Sequence, residues 1–239
     1  MTTISREQAL EGAKLVAQEL EAELGAELVM AAAYGSVVAG EFDPARSDVN
    51  VLLCLERCEA AVLSRVAPAL QRARTLQRVA PFVLSRAELT RSADVFAAKF
   101  EGMRRSYALL AGRDLLAELR LEPRDVRLAC EREVRNLTLK LRRAYLLEQP
   151  RSASVLAALR LFLPQLMAVL RLVGPAPAPG ETLVNAAARV MGFEAAALEE
   201  ALALRADTPP PWPLFEPKLG ALLLVLERVG AYVDALPGE

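Results

Sequence analysis

The chain of 239 residues contains no histidine. That absence excludes imidazole acid–base chemistry, a Ser-His-Asp triad, a histidine metal site and any ribonuclease built on an Arg-x-His motif. Cysteine is scarce. Cys54, Cys58 and Cys130 are too few and too unevenly spaced for a structural zinc site. Their odd number, with an N-terminus that opens an amphipathic helix rather than a secretory signal, gives a reducing cytoplasm as the expected location. Aromatic residues are only 5% of the chain and the formal net charge is −1. Neither offers the basic, aromatic-studded surface that nucleic acid requires, nor a pull toward anionic membranes. Long apolar runs free of charge are also lacking. The most apolar stretch, 153–173, is broken by Arg160, Pro164 and Arg171, so it is expected as a buried central helix and not as a membrane span.

What the chain has in quantity is apolar side chains, 54% of the total, many of them the good helix formers Ala and Leu. Its length allows one or two domains with a sizeable core. The chemical information is concentrated in residues 32–56, AAYGSVVAGEFDPARSDVNVLLCLE. Leu28 to Tyr34 is an apolar run of strand length ended by Gly35. A Gly35-Ser36 turn before a short helix lets backbone N–H groups and a hydroxyl approach a phosphate. Gly40 to Ser47 is rich in turn formers and reads as a loop. A β-branched strand follows, and Asp48 and Asn50, two apart at its start, point to one face. Oxygen side chains opposite a phosphate-binding turn suit a divalent metal that bridges protein and nucleotide.

Gly35, Ser36, Gly40, Ser47 and Asp48 together resemble the motif of the polymerase-beta-like nucleotidyltransferase superfamily. The likeness is greatest to small bacterial members such as aminoglycoside adenylyltransferases and minimal nucleotidyltransferases. It implies an α+β fold, with a small mixed-sheet domain over residues 1–120 and an all-helical bundle over 121–239. It further implies that Gly35, Ser36, Gly40 and Ser47 contact an NTP, that Asp48 ligates Mg²⁺, and that Asp48 and Asn50 occupy the catalytic positions. The family transfers a nucleoside monophosphate from an NTP to an acceptor hydroxyl. Three departures stand out. Asn50 replaces the second carboxylate, Ala39 stands where an Arg is usual, and the next strand, Val79 to Leu84, carries no acid. Phosphoryl transfer rests on positioning and on charge neutralisation by metal. The expectation is therefore a catalytically impaired, nucleotide-binding member of the fold. The alternative is a non-catalytic assembly or partner-binding protein, by analogy a toxin–antitoxin or defence component, with a protein partner or a second copy meeting the helical half.

Along the chain, helices are expected over 5–24 (capped by Ser5 and Gln8), 59–76 (interrupted at Pro68), 86–95 (capped by Ser85), 123–148, 181–191, 194–204 and 218–236, with a further short strand over 107–111. Residues 96–103 are ambiguous. Asp94 or Glu101 are the available third acids and Lys99 an available cation, all three read first as surface charges. The Pro-rich segment 208–217 is expected to be extended and pinned by Trp212, Leu214 and Phe215. The last helix carries a leucine and valine seam that suits either bundle packing or a dimer.

Overall fold

The computed structural model of the chain describes residues 4–40, 42–45, 47–204 and 209–237. The chain divides into two compact units, Met1–Leu121 and Glu122–Glu239. The first mixes helices with a sheet and the second is helical, so the fold class is α+β.

Helix α1 (Arg6–Leu24) starts at a capping box. The Ser5 hydroxyl accepts the Gln8 N–H, and the Gln8 side chain accepts the Ser5 N–H at 2.8 Å. Its buried Ala9, Ala13, Val16, Ala17, Leu20 and Leu24 recur at helical spacing. Then come β1 (Leu28–Tyr34), α2 (Ser36–Ala39), β2 (Val49–Leu55), α3 (Ala60–Gln77), β3 (Val79–Ser85), α4 (Arg86–Arg91), α5 (Ala97–Arg105), β4 (Tyr107–Gly112) and α6 (Leu115–Glu118). The strand order is β3-β2-β1-β4. β1 is antiparallel to both neighbours, whereas β2 and β3 are parallel and joined by α3, as a parallel pair requires.

The sheet is buried on both faces. Ala31 and Ala33 of β1 join Val51, Leu53 and Leu55 of β2 against α1 and α3. Met30 and Ala32 join Leu52 and Cys54 against Leu89, Phe100, Met103 and Leu116. Several boundaries differ from expectation. α3 runs through Pro68 without ending, since one missing N–H at the middle of an 18-residue helix removes a single backbone bond. The helix expected over 86–95 stops at Arg91. Its Ser85 cap is as expected, closed by the Glu88 carboxylate. The ambiguous stretch resolves as α5. α6, one turn capped by Asp114, has no counterpart in the sequence reading.

The second unit contains α7 (Pro123–Glu148), α8 (Ser152–Val173), α9 (Leu183–Met191), α10 (Ala195–Ala203) and α11 (Trp212–Ala235). α7 packs against α8 and α11. Thr208 lies outside the described residues. From Trp212 onward the Pro-rich segment is helical, not extended, because Pro213 sits in the first turn where its N–H has no intrahelical partner. Trp212 does anchor it, with its ring 5.9 Å from Tyr145 and 6.2 Å from the buried Phe215. Leu219, Leu222, Leu226, Val229 and Val233 are all buried, so the seam of α11 is spent inside the bundle. Among the described residues α8 is the helix long and apolar enough to cross a membrane by length and composition. Val155, Leu156, Leu159, Leu163, Leu166 and Leu170 bury one face of it, while Leu161 on another face is 68% exposed.

Two glycines separate backbone necessity from mere tolerance. Gly112 has φ +77°, and a Cβ there would lie 2.1 Å from the Val29 carbonyl oxygen, whereas a Cβ at Gly102 in α5 meets open space. Gly112→Ala should destabilise the first unit by about 3 kcal/mol or more. Gly102→Ala should stabilise it by about 0.5–1 kcal/mol. Urea unfolding of the two variants, read against wild type, checks both signs.

Candidate functional site

The pairing register sets one row of side chains across the sheet. Ala80 of β3 lies beside Asn50 of β2, Asn50 faces Tyr34 of β1, and Tyr34 faces Tyr107 of β4. Paired residues share a face, and this face is the one that carries Leu52, Ala32 and Phe82. The row sits at the end of the sheet where β1 gives way to the Gly-Ser turn.

Gly35 makes that turn with φ 79° and ψ −149°, a conformation essentially confined to glycine. Its N–H reaches the Ser106 carbonyl at 3.3 Å. A Cβ at Gly35 would stand 3.2 Å from Asn50 Nδ2, so the Asn50 amide rests directly against the turn. α2 follows and is held at its far end by Arg6, which donates to the carbonyls of Val37 at 2.8 Å and Val38 at 3.1 Å. Among the described residues, the backbone N–H groups of Ser36 and Val37, the Ser36 hydroxyl and the Asn50 amide have no protein partner. The Tyr34 hydroxyl is alike in this, and burial of its ring pushes its pKa up to about 12. The turn and the row beside it therefore carry unspent donors.

The other two residues of the motif also have local structural roles. Gly40 is the left-handed C-cap of α2. The Ser47 hydroxyl accepts the Asp43 N–H at 2.9 Å, and Asp43 accepts the Ser47 N–H at 2.8 Å, closing the loop on itself.

Asp48 stands one residue ahead of β2 and Arg78 one residue ahead of β3, so the parallel register sets them side by side. Arg78 Nε is 3.7 Å from Asp48 Oδ1. Arg78 has a positive φ of 57°, rare for a residue with a side chain. It also donates to the Pro44 carbonyl at 3.1 Å and accepts the Val49 N–H at 3.0 Å. Its strained backbone is thus fixed by the loop that carries Asp48. Sequence reasoning missed Arg78, because its position beside Asp48 depends on a strand pairing that local patterns do not reveal.

These groups can be tested against the Mg²⁺ that the resemblance implies. The ion demands octahedral, hard and mostly anionic oxygens. The residues here offer one carboxylate with a guanidinium beside it, one neutral amide, and Ala80 where a third strand would add an acid. They do not fit the ion. The acids weighed as substitutes are occupied elsewhere. Asp94 accepts its neighbour Val95's N–H at 2.8 Å. Burial works to raise the Glu101 carboxyl, but Arg104 and Arg105 outweigh it and hold its pKa below the usual carboxylate value. Among the described residues, no group of three His, Cys, Asp or Glu side chains is placed to hold a metal. Lys99 does approach this face: its Nζ lies 3.5 Å from the centre of the Phe82 ring. On α7, Arg127 and Arg135 are both paired with Glu131, and Arg135 also with Asp234.

The cysteines form no site. Cys54 is fully buried and burial pushes its thiol up to about 12, while Cys130 is also buried and Cys58 only partly so. A raised thiol pKa means less thiolate at any given pH. Native protein should therefore release colour slowly from Cys58 alone with Ellman's reagent at pH 8, and from all three thiols after denaturation. A second test addresses the turn. Gly35→Ala should cost about 1–3 kcal/mol from backbone strain and crowding. Asn50→Ala in that background should restore part of the loss. Strict additivity in the double-mutant cycle would mean that the amide does not press on the turn.

No family model matches the chain, and no curated protein matches it. Solved structures that match include spectinomycin adenyltransferase AAD(9) from Enterococcus faecialis, in a crystal structure with ATP and spectinomycin. The match spans 95% of this chain and 99% of that one, at 12% identity and a TM-score of 0.48. At that identity and score the likeness says nothing of what this chain binds.

Proposed function

We propose that the chain is a nucleotidyltransferase-fold protein that binds a nucleotide and has lost, or nearly lost, metal-dependent transfer. Its residues Met1–Leu121 act as the nucleotidyltransferase-like domain and Glu122–Glu239 as a helical-bundle domain. The observation that carries this reading is the contrast within one small site. The donors of the turn, at Ser36, Val37 and Asn50, are unspent among the described residues, as a phosphate-binding turn needs. The carboxylate that should hold metal is instead paired with Arg78. In such a site Gly35 lets the backbone approach the phosphates, the N–H groups and Ser36 hydroxyl donate to them, and Asn50 donates where the family accepts. Removing two anionic metal ligands strips phosphoryl transfer of its main source of charge neutralisation. No side chain in the row is a base suited to activate an acceptor hydroxyl.

A second reading keeps the fold for assembly. It is favoured by the exposed Leu139, Leu146 and Leu147 of α7 and Leu161 of α8, each more than 60% exposed, which a partner or a second copy would cover.

Calorimetric titration with ATP, run beside transfer of a labelled nucleotide, separates the readings. The expected result is ATP binding by wild type with no labelled product. Asn50→Asp should make binding respond to Mg²⁺, by about tenfold or ~1.4 kcal/mol. Label transfer that Asp48→Ala abolishes would mean an active enzyme. No binding by either protein, with a stable oligomer in light scattering, would move the function to assembly.

A further inference from the structure

The site has lost the anionic ligands of its metal, yet a phosphate chain still needs positive charge. The structure supplies one in a place the motif does not mention. α5 crosses the face of the sheet that bears the Ala80–Asn50–Tyr34–Tyr107 row, with Phe100 and Met103 pressed into it. Successive residues of a helix turn by about 100°, so Lys99 and Glu101 fall on opposite flanks of α5. Glu101 is paired with Arg104 and Arg105, whereas the Lys99 ammonium is stacked on the ring of Phe82, two residues along β3 from Ala80 and on the same face of the sheet. That spacing is about 7 Å along a strand, within the reach of a triphosphate.

The environment of this lysine suits an anion. Among the described residues it has no ion-pair partner. The residue as a whole is exposed, but the ring takes one side of its hydration. This desolvation lowers its pKa below the usual lysine value. A poorly hydrated ammonium gives up little water on meeting a phosphate and gains more from the contact than a free surface lysine. Of the carboxylates near this face, Asp48 is countered by Arg78, and Asp114 accepts the Tyr107 hydroxyl at 2.7 Å and the Ala117 N–H at 3.0 Å.

We propose that this face binds the phosphate chain of a nucleotide without a divalent cation, the Lys99 ammonium on Phe82 serving as the counter-charge that the family takes from metal. The inference rests on the nucleotide-binding reading above and names how that site recognises its ligand.

The test is ATP titration of the full-length protein in excess EDTA and in Mg²⁺, for wild type, Lys99→Met and Lys99→Arg, with inorganic tripolyphosphate as competitor. Wild type should bind ATP equally in both media. Lys99→Met should bind about tenfold more weakly or worse, as expected for the loss of one charge-assisted contact. Lys99→Arg should stay near wild type, and tripolyphosphate should displace ATP from both cationic forms. Unchanged thermal midpoints exclude a folding defect, and if Lys99→Met does lower the midpoint, the comparison of Lys99→Arg with Lys99→Gln decides instead. ATP binding that vanishes in EDTA, or that Lys99→Met leaves intact, would overturn this inference while leaving nucleotide binding standing. No ATP binding by wild type in either medium would overturn both.

Discussion

The double burial of β1 is the constraint on which the rest of the first unit depends. Met30, Ala31, Ala32 and Ala33 are each fully buried, with α1 and α3 on one face and α5 and α6 on the other. A strand sandwiched in this way must be small, because helices on both sides approach its backbone. Three consecutive alanines meet that demand and leave the volume to Leu20 on one side and Phe100 on the other. The same burial fixes register. A one-residue slip would exchange the two faces and place Tyr34 against α1. Because β1 cannot slip, its last residue faces Asn50 and its next residue, Gly35, must turn away at once. The site is thus a consequence of where the core strand ends.

Electrostatics then decides what the site can hold. A single carboxylate in water-accessible surroundings binds Mg²⁺ weakly, and a guanidinium 3.7 Å away makes the position less attractive still to a dication. Asn50 can donate as well as accept. Each of these features favours an anion over a dication. The Lys99 ammonium continues the trend on the β3 side of the row. Four positions at the starts of two strands and on one helix therefore agree, although no two of them are adjacent in sequence.

That separation explains what the sequence could and could not reveal. The turn, its glycine and the strand after it were legible because each is a local pattern: an apolar run, a residue that tolerates positive φ, a β-branched run. The α+β class was implied by the family resemblance that these same residues carry. That the Ser47 hydroxyl also accepts the Asp43 N–H was hidden, since a Ser-Asp pair does not by itself reveal the loop's hydrogen bonds. Arg78 was hidden because the parallel pairing of β2 with β3 brings together residues 30 apart. Lys99 was weighed as a cation near the site, but its seat on Phe82 depends on the packing of α5 over the sheet, which local patterns do not reveal. The Pro-rich start of α11 was misread because proline's disfavour in helix interiors does not extend to the first turn.

The fold does not need a working metal site in order to persist. Clustered metal ligands are a burden on an unloaded protein, since two or three carboxylates within a few ångströms repel one another and resist desolvation. Here Asn50 and Ala80 stand beside one another across β2 and β3 without charge, and Asp48 is paired with Arg78. None of these positions lies in the core: Asp48 is 63% exposed and the buried side chains of β2 begin at Val49. The packing of the two strands and the polar groups at their ends are thus held by different residues. The core can keep its shape, and the unspent donors of the Gly35-Ser36 turn with it, whatever side chains stand at 48, 50 and 80.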